Sequence, residues 1–81
     1  MAIVHRQHAR DRMVQRGILE EWVEATVTAP DWTTPNSRPG ITRSFKAIAA
    51  AGGKTLRVAH RPDRADIVVI TAVFDSRARK P

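Results

Sequence analysis

Residues 41–74, ITRSFKAIAAAGGKTLRVAHRPDRADIVVITAVF, decide the fold of this chain. Ile41, Phe45 and Ala47 alternate with Thr42, Ser44 and Lys46, the two-residue period of a half-buried strand. Gly52-Gly53 then supplies a hairpin turn. Leu56 and Val58 alternate with Thr55, Arg57 and Ala59 in a second strand, and Arg61-Pro62-Asp63-Arg64 turns the chain again. Residues 66–74 carry β-branched groups on both faces, as a central strand does.

The first half has a different period. Residues 5–16 lack Gly and Pro and read as a helix that Gly17 stops. Leu19, Trp22, Val23, Thr26 and Val27 form a stripe of helical spacing, so a second helix is expected over 19–28. Glu20 and Glu21 favour its dipole, and Pro30 ends it. Residues 30–40 hold three prolines and a glycine and read as an irregular loop. The expected order is therefore ααβββ, an α+β domain with two helices on a three-stranded antiparallel sheet. Trp22, Val23, Val27, Phe45, Leu56, Val58, Val69 and Phe74 are the expected core. The segment 75–81 reads as a mobile basic tail.

Eighty-one residues make one domain with a thin core. The absence of cysteine excludes disulfides and thiolate metal sites and suits a reducing cytoplasm. No apolar run reaches the ~20 residues of a membrane span, and Met1 to Arg6 turn polar too soon for a signal peptide. A soluble, cytoplasmic protein is expected. Lys and Arg number 14 against 8 Asp and Glu, a formal charge of +6. Arginine supplies most of it, which suits bidentate contacts to phosphate and points to nucleic acid.

His8, Arg12 and Arg16 recur every four residues and make one helical ridge beside the apolar row of Ala9 and Met13. Arg57 projects from the sheet face opposite Leu56 and Val58, while His60 shares their face. Arg43, Lys46 and Arg61 add further cations, and Trp32 in the loop is placed either to stack on a base or to pack over the core edge. Such a set suffices for RNA cleavage without metal: a base takes the 2′-hydroxyl proton, an acid protonates the leaving 5′-oxygen, and cations neutralise the phosphate. His8, Arg12, Arg57 and Lys46 are the candidate catalytic residues; Arg16, Arg43, His60, Arg61 and Trp32 are candidates for binding nucleic acid. His5-x-x-His8 is a helical metal pair lacking a third ligand, so neither metal nor cofactor is expected.

The run His8-Ala9-Arg10-Asp11-Arg12-Met13-Val14-Gln15-Arg16-Gly17-Ile18 resembles the HAxxRMxxRGI signature of a widespread bacterial family grouped with RelE/ParE-like toxins and similar in layout to BrnT toxins. Leu56-Arg57-Val58 and Ile67-Val68-Val69-Ile70-Thr71 are similar to that family's closing strands. The resemblance implies two helices on an antiparallel sheet, a cognate antitoxin, and RNA as target, in mRNA or on the ribosome. ParE-type relatives instead poison DNA gyrase, and a non-toxic adaptor on the same scaffold is a third reading. The signature marks His8, Arg12 and Arg16. The tyrosine that assists cleavage in some RelE-like enzymes has no counterpart, since the chain has none, which leaves His8 or His60 as the available substitutes.

Overall fold

A computed structural model describes residues 2–81. The elements run β1 (Ile3–His5), α1 (Gln7–Arg16), α2 (Glu20–Thr28), β2 (Trp32–Pro35), β3 (Thr42–Ile48), β4 (Lys54–Asp63) and β5 (Asp66–Phe74). The strands form one mixed sheet in the order β1-β5-β4-β3-β2. The α+β class holds, but the three-stranded antiparallel sheet expected from the sequence does not. The described residues form five strands, and β1 pairs with β5 in parallel.

Both extra strands are short edges. Ile3, Val4 and His5 lie opposite Ile67, Val68 and Val69, partners more than sixty residues away that leave no local trace. The second lies inside the proline-rich segment: Trp32 to Pro35 pair antiparallel with Phe45 to Thr42. An edge strand tolerates proline because one side of its backbone faces no ladder. Asp31 fixes the entry, its N–H donating to the Phe45 carbonyl at 2.7 Å while its carboxylate accepts from the Ala47 N–H at 2.9 Å.

The helices cover one sheet face. Ala9, Met13 and Ile18 from α1 and its exit, with Val23 and Val27 from α2, pack on Ile48, Leu56, Val58, Val69 and Ala72. Val23, Leu56, Val58 and Val69 are fully buried, each burial stabilising by about 1.5–3 kcal/mol. Trp22 and Phe74, expected in the core, are half-buried at its margin. Phe45 is buried, but outside this cluster. It lies on the other face, stacked on Trp32 with ring centroids 4.8 Å apart and planes 6° from parallel. The position facing the helices is taken by Ser44, whose hydroxyl lies 2.7 Å from His60 Nε2.

The HAxxRMxxRGI segment is mostly a docking device. Ala9, Met13 and Ile18 are buried, and Arg16 donates to the Ala72 carbonyl at 2.9 Å. That carbonyl lies beyond the stretch of β5 that β1 pairs, so the guanidinium serves an edge no strand covers. Gly17 takes the left-handed conformation at φ 68°, and the Gly17 and Ile18 N–H groups donate to the Val14 and Met13 carbonyls. A Cβ there would meet nothing within 4 Å, so conformational strain alone opposes a side chain. Gly17→Ala is expected to cost about 1 kcal/mol. Denaturant unfolding measures it, and an unchanged midpoint would refute the cap.

Candidate nucleic-acid interface

The sheet face turned away from the helices is apolar and arginine-rich. Cross-strand register places Trp32, Phe45, Arg57 and Val73 in one row, then Thr34, Arg43, Ala59 and Thr71 in the next. Phe45, Ala59 and Val68 are buried on this face although no helix lies over them. Half-buried Arg43, Arg57 and Arg61 flank them, and the aliphatic stems of arginine shield such surface while keeping the charge in water. A sheet covered on one side ordinarily presents polar residues on the other.

At one end of this face the side chains line an open pocket of about 430 Å³, with Arg6, His8, Arg38 and Arg61 around it and Pro39, Ile41 and Ile70 as its apolar wall. Its arginines and histidine come from four separate segments. Arg6 is the residue before α1, His8 lies in the first helical turn, Arg38 comes from the β2–β3 loop, and Arg61 projects from β4. A β-bulge contributes the wall: Ala59 opposes Thr71 and His60 opposes Val69, leaving Ile70 as the extra residue of β5. Bulges re-aim side chains in this way.

Among the described residues no carboxylate lines the pocket. Among the described residues, none of the His8, Arg6, Arg38 and Arg61 side chains makes an ion pair or hydrogen bond. The helix start adds to the field. α1 has no acidic residue in its first turn and no side-chain cap, whereas α2 carries Glu20 and Glu21. Uncapped N–H groups favour an anion. One imidazole and three guanidiniums thus converge where only a negative group would be drawn in.

The other residues singled out by sequence are placed elsewhere. Arg12 is exposed one turn beyond His8 and outside the pocket lining. Arg16 is committed to Ala72. Arg57 shares the open face but donates to Asp75 at 2.9 Å. Lys46, which alternates with Phe45, points to the helix side and donates to the Ala29 carbonyl at 2.9 Å, 3.9 Å from Asp31. His8, Arg12, Arg57 and Lys46 therefore do not assemble around one point. His8 and Arg61 do, and Arg43 and Trp32 lie on the same face. Arg6 and Arg38 join them without any sequence signal, since neither belongs to a periodic pattern.

His5 and His8 are separated as well. His5 is buried with Nε2 3.4 Å from Glu24, and its Nδ1 has no partner among the described residues. Glu20 lies close enough that one donor atom from each of His5, Glu20 and Glu24 falls within 4.8 Å of the others, and Arg10 approaches Glu20 at 3.7 Å. A second cavity, about 490 Å³, lies between the β3–β4 turn and the C-terminal segment, where Lys54 sits 5.5 Å above the Phe74 ring and Asp75 and Arg79 bring opposite charges. No helix among the described residues is long and apolar enough to cross a membrane.

His60 faces the helices beside Ser44, and burial lowers its pKa below the ordinary 6.5. The unfolded chain therefore binds more protons than the folded protein just below pH 6.5. The resulting stability is complete above that pH and is lost as pH falls toward the folded value. The parent's Tm should drop more steeply than that of His60→Gln between pH 7 and pH 5. Parallel Tm profiles for the two proteins would refute the assignment.

Comparison with known families matches most of the chain. The family model described as a domain of unknown function, DUF4258, covers residues 6–74. No curated protein and no solved structure matches the chain.

Proposed function

This chain belongs to the DUF4258 family, and from its geometry we propose that it is a metal-independent endoribonuclease of the toxin type. The observation that carries this reading is the acid-free pocket of His8, Arg6, Arg38 and Arg61. Guanidinium forks suit the two non-bridging oxygens of a phosphodiester and spread the charge that develops on them. Imidazole is the side chain whose ordinary pKa lets it move a proton near neutral pH.

In the proposed reaction the 2′-hydroxyl oxygen attacks the adjacent phosphorus and loses its proton. The new O2′–P bond forms as the P–O5′ bond breaks, and the departing 5′-oxygen takes up a proton. The products are a 2′,3′-cyclic phosphate and a 5′-hydroxyl, with no net change in protons. Among the described residues His8 is the histidine lining the pocket and accepts the 2′-hydroxyl proton, solvent water protonates the departing 5′-oxygen, and Arg6, Arg38 and Arg61 hold the phosphate. Arg12, Arg57 and Lys46 take no part in the step. The HAxxRMxxRGI resemblance supports placing the activity among RelE/ParE-like toxins, with an acidic antitoxin as the partner complementary to the basic face.

The test is cleavage of an end-labelled single-stranded RNA in excess chelator. The parent should cut, and a strand carrying 2′-deoxyribose at the cleavage site should resist. His8→Ala should lower the rate roughly 10²–10⁴-fold, the usual worth of general acid–base catalysis. Arg61→Lys should also impair it, because a point charge does not replace the fork. Circular dichroism must show both variants folded. A folded His8→Ala protein that cleaves at the parent's rate removes His8 from the mechanism, and a parent that cuts nothing refutes the ribonuclease reading.

A further inference from the structure

We propose that the open sheet face is a track for single-stranded RNA, in which a base stacks on Trp32 while a phosphate of the same strand occupies the Arg6, Arg38 and Arg61 pocket. This rests on the reading of the pocket as a phosphate site and adds what lies beside it. The ring pair is the first argument. Trp32 lies parallel to Phe45 at 4.8 Å, and Phe45 is nearly inaccessible while Trp32 remains half-exposed. An indole backed by a second ring is held in orientation and offers a flat surface at little entropic cost. Every base has a π-face, so such a platform binds single strands without requiring a sequence.

Spacing is the second argument. Ile41, in the pocket wall, and Phe45, under Trp32, are four residues apart on or just before β3, roughly 13 Å along a strand. Several nucleotides of single strand occupy a track of this kind. Arg43 lies between the two ends and has no ion-pair partner among the described residues. Charge selects the occupant. A cationic pocket, an arginine and an aromatic platform in succession match alternating phosphates and bases. A duplex hides its base faces and reaches only the cations.

Trp22 provides an internal control, because it packs on Phe74 at the edge of the helix-side core with centroids 6.2 Å apart. The experiment titrates the protein with a single-stranded RNA carrying 2′-O-methyl groups, which lacks the attacking hydroxyl and stays intact. Binding is read by anisotropy of a labelled strand and stacking by tryptophan emission. Trp22→Phe, with Trp32 as sole tryptophan, should show quenching that saturates with binding. Trp32→Phe should lose the quenching and keep most of the affinity. Trp32→Ala should bind roughly 5- to 150-fold more weakly, the worth of one stacked base.

Unchanged emission from Trp22→Phe at saturation overturns the proposal, as does equal quenching by a duplex of the same sequence. Polyglutamate that binds as tightly as RNA with the same quenching overturns it in favour of an acidic protein partner. A parent that binds and quenches the methylated strand yet never cuts unmodified RNA leaves the track standing and refutes only the ribonuclease reading. A parent that cuts RNA with no effect of Trp32→Ala on affinity or rate does the reverse.

Discussion

Strand β5 is the element on which the rest of the structure hangs. Along Ile67 to Val69 it is hydrogen-bonded on both sides, to β1 and to β4. Its Val69 and Ala72 side chains meet the helices, while Val68 is buried on the opposite face. Past Val69 the parallel partner ends, and two devices manage the exposed edge. Arg16 reaches back to the Ala72 carbonyl, and the bulge at Ile70 changes the register just where β1 gives way to α1. The pocket forms at that transition. Ending β1 at His5 places Arg6 and His8 near Ile70, and the bulge turns Ile70 into the pocket wall. Site and fold thus depend on the same loss of pairing.

The N-terminal signature divides along the same line. Ala9, Met13, Arg16, Gly17 and Ile18 seat α1 on the sheet and turn the chain into α2, so their spacing reports how the helix docks. His8 is the member of the segment that meets the pocket. Arg12 points to solvent, and its four-residue distance from His8 does not carry it to the same place. A motif made largely of docking residues identifies a scaffold well and an activity poorly, because the scaffold needs those residues whatever the open face does.

Alternation in residues 41–74 was enough to recognise β3, β4 and β5, and the helical stripe was enough for α2. Period alone does not say which face of a strand meets the core, and β3 shows why. Phe45 is the largest apolar residue of that strand, so hydrophobicity assigns it to the helices. The fold instead turns Ser44 inward, where its hydroxyl and His60 satisfy each other, and covers Phe45 with Trp32. A polar pair inside and an aromatic pair outside exchange the usual pattern, and neither partner lies near its mate in sequence. β1 and β2 were illegible for a related reason: a three-residue segment, or four residues within a proline-rich loop, become strands only when a distant edge accepts them. The pocket's arginines and histidine come from four segments, so only His8 and Arg61 were anticipated, from separate patterns, and nothing in the sequence joined them.

The pocket end of the open face carries three arginines with no carboxylate among the described residues lining it. A domain of +6 already bears self-repulsion, and three arginines around one pocket add to it. Stability alone would favour acidic neighbours there. The chain has such groups and places them elsewhere: Glu20 and Glu24 beside Arg10 and His5, Asp31 beside Lys46, Asp75 on Arg57. Arg57 is instructive, since it shares the open face and is nevertheless neutralised at the end remote from the pocket. Among the described residues Arg10, Lys46 and Arg57 are the cations with a carboxylate partner, and the three arginines around His8 share the unpaired state of the remaining Lys and Arg. An unpaired guanidinium gains most from a ligand that brings its own negative charge, and a phosphodiester matches both its charge and its planar fork.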